Sequence, residues 1–247
     1  MIRKRLITVL TLNNGVLFRT RNFLPDYRYT ANFVDTWSVD EILVLDVTRP
    51  GQGERRHSEG MVRKIAEECF VPLSVGGGVR SVEDFRRLLS CGADKVVVNT
   101  GAIDDPGLVE RAARAFGTQC VVACIDAARG PAGYEVMADF GQRRTGLAPA
   151  QWAARLCQLG AGEIILQSVE RDGTLEGYDL ELCASVRKAA SVPLLICCGA
   201  GKWAHFAEGF LVADADGVCT QNIFHFTEAS ILSAKNYLHS KSIPVRL

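Results

Sequence analysis

The chain has 247 residues, 48% of them hydrophobic, with 28 basic and 28 acidic side chains and no formal net charge. A chain of this length can bury one large core, and its balanced charge lacks the basic bias of proteins that bind nucleic acids or anionic membranes. No apolar run is long enough to cross a bilayer. The basic start from Met1 to Arg5 is followed by too short an apolar stretch for a secretory signal.

The expectation is therefore a cytoplasmic protein with no nucleic-acid or membrane partner. Nine cysteines occur without a CxxC pair, and several (Cys120, Cys124, Cys197, Cys198, Cys219) lie in apolar strand-like runs. Buried reduced thiols are expected rather than a disulfide or zinc scaffold, and neither metal nor cofactor is called for.

In chain order, strand-like runs cover residues 5–12, 41–47, 71–76, 95–99, 120–126, 163–168, 192–198 and 217–221. Amphipathic helical segments such as 82–91, 108–116, 149–159 and 180–190 lie between them. Eight near-continuous apolar strands alternating with helices predict a closed parallel sheet, a (β/α)8 TIM barrel, as one domain over residues 1–247. The competing open doubly wound sheet lacks its glycine fingerprint after the first strand.

An internal repeat separates the two folds. Glu41–Arg49 resembles Glu163–Arg171 at an offset of 122 residues, and Val71-Pro72-Leu73 returns as Val192-Pro193-Leu194 at an offset of 121. Two half-barrels explain this repeat.

In a TIM barrel the chemistry sits at the C-terminal ends of the strands. Gly76-Gly77-Gly78 ends the third strand before Ser81, a predicted helix cap, and Gly199-Ala200-Gly201 ends the seventh. Such turns either bring backbone N–H groups to an anion or serve as ordinary tight turns; a symmetric pair suggests a ligand with a phosphate at each end. The loop Arg171-Asp172-Gly173-Thr174, followed by Gly177-Tyr178-Asp179, either closes on a substrate or caps the next helix.

Asp126 ends the fifth strand, where burial would poise a carboxyl for acid–base work. Its half-barrel counterpart is Thr11, which cannot act as acid or base near neutral pH. Asp46, at the end of the second strand, is the nearest other carboxylate in the pattern. At the opposite ends of the strands, Arg5, Glu41, Lys95 and Glu163 either pair into a neutral ring or remain loose surface charge.

Several segments carry a family resemblance: Lys4-Arg5, Asp40-Glu41, Leu45-Asp46-Val47, Val75 to Arg80, Gly92-Ala93-Asp94-Lys95, Asn99-Thr100, Gly162-Glu163-Ile164, the Arg171 and Gly177 loops, Gly199-Ala200-Gly201 and Pro244 to Leu247. On these the chain resembles, along essentially its full length, the HisF-type cyclase subunit of imidazole glycerol phosphate synthase. The resemblance implies a barrel docked as a heterodimer on a HisH-like glutaminase. Ammonia released there would pass through a polar pore to a phosphorylated substrate at the other face.

Position by position, it implies a charged ammonia gate at Arg5, Glu41, Lys95 and Glu163, a pore lined by Ser74 and Val97, and a glutaminase contact at Asp94. It implies a catalytic Asp126, with Thr11 where the second catalytic aspartate belongs. Phosphate or substrate contacts are implied at Gly77, Gly78, Asn99, Thr100, Asp172, Gly173, Gly199, Gly201 and Asn222.

Departures from the family pattern accompany Thr11. Arg19 replaces a lysine, Cys197-Cys198 replaces Ser-Gly, and Gln221-Asn222 replaces small residues. Asn22-Phe23-Leu24 and Leu45 to Arg49 resemble a paralogous subfamily linked to surface-polysaccharide synthesis. That subfamily is thought to work with a separate amidotransferase, supplying nitrogen for an acetamidino group on a nucleotide-activated sugar. Three expectations follow: an ammonia-channelling subunit for such a sugar, a working cyclase that makes imidazole glycerol phosphate with Asp46 or a water in place of the missing acid, or a non-catalytic scaffold that activates a glutaminase.

Overall fold

Side chains alternate with a period of two along a strand, so each strand here serves two apolar environments. In β1 (Arg5–Asn13), Ile7 and Val9 pack inside the barrel while Leu6, Leu10 and Leu12 join the layer beneath the helices. The computed structural model describes residues 3–28, 39–51, 56–221 and 231–246.

The remaining strands are β2 (Val16–Arg21), β3 (Leu24–Arg28), β4 (Glu41–Asp46), β5 (Leu73–Gly76), β6 (Lys95–Val98), β7 (Val121–Gly130), β8 (Gly133–Ala138), β9 (Arg143–Arg144), β10 (Glu163–Ser168), β11 (Leu194–Cys197) and β12 (Gly217–Thr220). The parallel order β10-β11-β12-β1-β4-β5-β6-β7 closes through pairing of β7 with β10, giving an eight-stranded TIM barrel.

The helices are α1 (Arg56–Glu68), α2 (Val82–Ser90), α3 (Thr100–Asp104), α4 (Gly107–Phe116), α5 (Pro149–Gln158), α6 (Leu180–Arg187), α7 (Trp203–Leu211) and α8 (Ile231–Ser240). Ser81 caps α2 in a reciprocal box: its hydroxyl accepts from the Asp84 amide (3.1 Å), and the Asp84 carboxylate accepts from the Ser81 amide (3.0 Å). No helix among the described residues is long and apolar enough to cross a membrane.

Several expected boundaries move, for backbone reasons. The strands expected from residues 71 and 192 begin at Leu73 and Leu194, after Pro72 and Pro193. Proline has no N–H for the ladder; the two carbonyls still accept from Ile42 and Ile164 (both 3.0 Å). The helix expected to reach residue 190 ends at Arg187, because the amides of Ala189 and Ala190 both turn onto the Val186 carbonyl (3.0 Å).

Two hairpins add to the expected barrel. β1 continues past the mouth and folds back through Asn14 and Gly15, both at positive φ, into β2 and β3. β7 likewise runs four residues past Asp126 and returns as β8. The two excursions occupy corresponding places in the half-barrels and roof the C-terminal mouth.

Phe85 of α2 is fully buried and stacks on Phe116 of α4 with ring centroids 6.3 Å apart. Phe85→Ala is expected to cost about 3–5 kcal/mol, because the helix layer cannot close over the cavity it leaves. Urea unfolding of the two proteins checks this.

Candidate active site at the barrel mouth

At the N-terminal mouth, β1, β4, β6 and β10 each begin with a charged side chain that points along the barrel axis. The Arg5 guanidinium donates to Glu41 (2.9 Å) and Glu163 (2.8 Å), and the Lys95 ammonium to Glu41 (3.1 Å) and Glu163 (2.9 Å). The hydroxyl of Ser74 donates to Glu41 (2.7 Å), whose side chain is 2% exposed. Burial works against the Arg5 cation, but Glu163 and Glu41 more than offset it and hold it more firmly protonated. The four charges thus form a closed neutral ring. Asp94 stands exposed beside it and accepts from the Leu73 amide (2.8 Å).

Two residues further along each of those strands lie Ile7, Leu43, Val97 and Ile165, members of the buried cluster that fills the barrel with Val9, Val122, Leu195 and three cysteines, Cys124, Cys197 and Cys219. The expectation of a polar pore is therefore corrected. Of its expected lining, Ser74 belongs to the ring and Val97 to the apolar filling, and the layer above the ring is hydrocarbon and sulfur.

Above that layer, a cavity of about 770 Å³ opens at the C-terminal mouth, with Leu45, Val97 and Cys124 among its lining. It gathers Gly77, Gly78, Asn99, Thr100, Asp126, Thr11 and Asp46, together with Arg49, Phe140 and Gln167. Gly77 sits at φ +117°, where a Cβ would lie 2.3 Å from the Asp46 carbonyl oxygen, so only glycine fits that turn.

Asp126 is 6% exposed; it accepts from the Asn99 amide (2.6 Å) and lies 3.4 Å from the Cys124 thiol. Burial pushes its carboxyl up to about 7, against the opposing pull of the Cys124 and Asn99 hydrogen bonds. A carboxyl that titrates there exchanges protons readily near neutral pH.

The first-strand position is closed off. The Thr11 hydroxyl donates to the Phe18 carbonyl across the hairpin and accepts from the Gln221 amide (2.7 Å), which also donates to Phe18 (2.6 Å).

The hairpin of β2 and β3 is pinned across the mouth by Asp172. That carboxylate accepts from the Thr20 hydroxyl (3.2 Å) and the Phe23 amide (2.9 Å), while the Asn22 amide donates to the Asp172 carbonyl (3.2 Å). Burial raises the Asp172 pKa despite these donors. Beyond the pin, among the described residues, lies a space of about 40 Å³ lined by Gly173, Gly199, Cys197, Cys198 and Gln221 among others, room for a few waters.

In the second half, a Cβ at Gly199 would lie 2.2 Å from the Gly177 carbonyl, so only glycine fits that turn, as at Gly77. The Gly201 amide donates to Nδ1 of His205 (3.1 Å). Cys198 holds φ +77°, a left-handed conformation that a side-chain-bearing residue seldom adopts. In the neighbouring loop, Asp179 caps α6 through the Leu182 amide (3.1 Å), and the Tyr178 hydroxyl donates to the Cys219 carbonyl (2.9 Å). Arg19 lies on β2, and Asn222 falls outside the described residues.

Sequence reasoning left out Arg49, Phe140 and Gln167 as site residues. Gln167 had a visible signal: a polar residue inside the buried run Ile164-Ile165-Leu166. Its amide donates to the Cys124 sulfur (3.0 Å), and its carbonyl oxygen lies 3.7 Å from the Cys198 thiol.

The raised Asp126 carboxyl has a stability consequence. Between about pH 4 and 7 the folded state holds a proton that the unfolded chain releases, so stability falls as pH rises through that window. The contribution is on the order of 4 kcal/mol. Asp126→Asn is expected to flatten this fall in urea midpoints measured from pH 4.5 to 7.5; an unchanged slope would show that Asp126 does not carry it.

Known proteins resemble this chain over its whole length. The family described as "Histidine biosynthesis protein" matches residues 7–230. The imidazole glycerol phosphate synthase subunit HisF of Clostridium botulinum (strain Okra / Type B1) is 42% identical over 254 residues, covering 100% of both chains. The subunit of the same name from Alkaliphilus metalliredigens (strain QYMF) is 40% identical over 252 residues, again with 100% of each chain covered. A closed barrel with two-half symmetry and this extent of full-length identity place the chain in the histidine biosynthesis protein family, as a HisF-type barrel.

Proposed function

We propose that this chain is the synthase-type subunit of a glutamine amidotransferase, receiving ammonia from a HisH-like glutaminase and delivering it to an acceptor in the cavity beside Asp126. The observation that carries the reading is the alignment of two polar levels on one axis. The neutral four-charge ring lies at one mouth, Asn99, Gln167 and Asp126 lie toward the other, and one apolar layer separates them. Lys95 and Asn99 are four residues apart on one strand run, on the order of 13 Å of extended chain.

An apolar layer suits neutral ammonia and opposes its ion, because an unpaired charge is costly to desolvate. The glutaminase docks at the ring face, where Asp94 is exposed, and the ring rearranges to admit ammonia.

For the acceptor, we infer a nucleotide-activated sugar that becomes amidinated in polysaccharide synthesis, either in this cavity or in a third enzyme docked over it. Support comes from what occupies the expected second catalytic position. Thr11 has no useful proton, and Gln221 bonds it in place. Losing one of two acid–base groups typically removes about 10²–10⁴ of rate.

A second reading, the imidazole-forming cyclase itself, is favoured by one observation: Asp46, buried at the end of β4, lines the same cavity as Asp126.

The test pairs the full chain with its glutaminase. Glutamine hydrolysis is expected to rise when this chain is added, with little ammonia trapped from bulk solvent. Lys95→Met is expected to reduce delivery at least tenfold. Free release of all the ammonia would instead assign a non-catalytic activating scaffold. In parallel, the gene is expected not to rescue a histidine auxotroph that lacks its cyclase subunit; growth would assign the cyclase reading.

A further inference from the structure

Five charged side chains line the large cavity: Asp46, Arg49, Arg80, Asp126 and Asp139. Two of them are neutralised locally. Arg80 pairs with Asp104 (3.1 Å) and Asp139 (3.6 Å), and Arg143 closes the group by pairing with the same two carboxylates (both 2.6 Å). Asp126 accepts from Asn99, and Asp46 accepts from the Thr48 amide (2.8 Å) at the buried end of β4.

Arg49 is different. It is half-buried, and among the described residues no carboxylate lies within ion-pair distance of it. Its guanidinium is nevertheless held in place. It lies 5.3 Å over the Phe140 ring and makes a long bond to the Phe23 carbonyl (3.4 Å). A guanidinium carries five N–H donors in a planar fork suited to an oxyanion, and among the described residues only the Phe23 carbonyl accepts from it.

A second observation points the same way. The side-chain oxygen of Asn99 is buried and accepts no hydrogen bond, although its amide is fixed on Asp126. A buried acceptor without a donor is uncommon and costly. A ligand hydroxyl or amine would satisfy it. Among the described residues, the opposite glycine turn has a space of about 40 Å³ beside it, and its Gly201 amide donates to His205.

We propose that the ligand of this cavity carries its recognised negative charge at one end, an oxyanion held by the Arg49 fork over Phe140, and presents a hydroxyl or amine to Asn99 and Asp126. The chemistry is that of a phosphate ester or a carboxylate on a polyhydroxylated body. This proposal rests on reading the cavity as the acceptor's site, but not on the identity of the acceptor.

Glucose 1-phosphate, glucuronate and uncharged glucose, titrated calorimetrically into the full chain, test it. One of the two anionic probes is expected to bind at least tenfold more tightly than glucose, and whichever does identifies the oxyanion as phosphate or carboxylate. Arg49→Ala is expected to abolish that preference, Arg49→Lys to retain part of it, and Arg114→Ala, which removes an exposed cation on α4, to leave it unchanged. Thermal unfolding of each variant checks that it is folded.

Equal binding of all three probes, or an anion preference that survives Arg49→Ala, overturns the proposal. Ammonia delivery measured with the glutaminase does not depend on Arg49. A failure here with intact delivery therefore removes only this inference, whereas lost delivery in the wild-type chain removes the reading beneath it.

Discussion

Glu41 is the group on which the N-terminal mouth depends. Its carboxylate is almost wholly withdrawn from water and is satisfied by Arg5, Lys95 and Ser74. Removing either cation would leave a buried charge short of a partner, a loss that typically exceeds the worth of the pair itself. The ring therefore holds together as a unit. Buried ion pairs of this kind are often no more stabilising than well-packed apolar side chains. A TIM barrel could be plugged here by valine and leucine, as it is one layer higher by Ile7, Leu43, Val97 and Ile165. Under the proposed function, four balanced charges in that position serve as a device that can open.

At the other mouth the controlling contact is Asp172. It draws the β2–β3 hairpin across the top of the barrel and divides the active face unequally, with a large cavity on the side of Asp126 and a nearly filled space on the side of Gly199. The two half-barrels remain similar in backbone while their mouths have diverged in chemistry. One side holds the larger cavity, a carboxyl that titrates near neutrality and an arginine with no carboxylate partner among the described residues. The other fills the equivalent space with Cys198, Gln221 and its own loop.

Thr11 and Gln221 tie the first strand to the end of the last. An aspartate facing the Phe18 carbonyl would be repelled unless protonated, whereas a threonine hydroxyl can donate to that carbonyl and accept from Gln221 at once. Thr11 is thus a structural junction between the first strand, its hairpin and the residue that follows the last strand. Burial leaves the Asp126 carboxyl weakly acidic, although Asn99 and the sulfur of Cys124, its close partners, pull the other way.

The amino-acid sequence by itself determined the barrel. Near-continuous apolar runs, the helical segments between them and the repeat between the halves can all be read along the chain itself. It also determined which chemistry was on offer: four charges opening four strands, an acid at one strand end and a threonine at its counterpart. Only the tertiary structure decided how these groups meet. Thr20 and Asp172 are 152 residues apart, and Thr11 and Gln221 are 210 apart, so no spacing announces either contact. The same holds for the packed interior, against the expectation of a polar pore, and for Arg49, which has no carboxylate partner among the described residues, a fact about its neighbours in space. Pairing and burial depend on which surfaces close on one another, and that is set by the closure of the sheet rather than by any stretch of it.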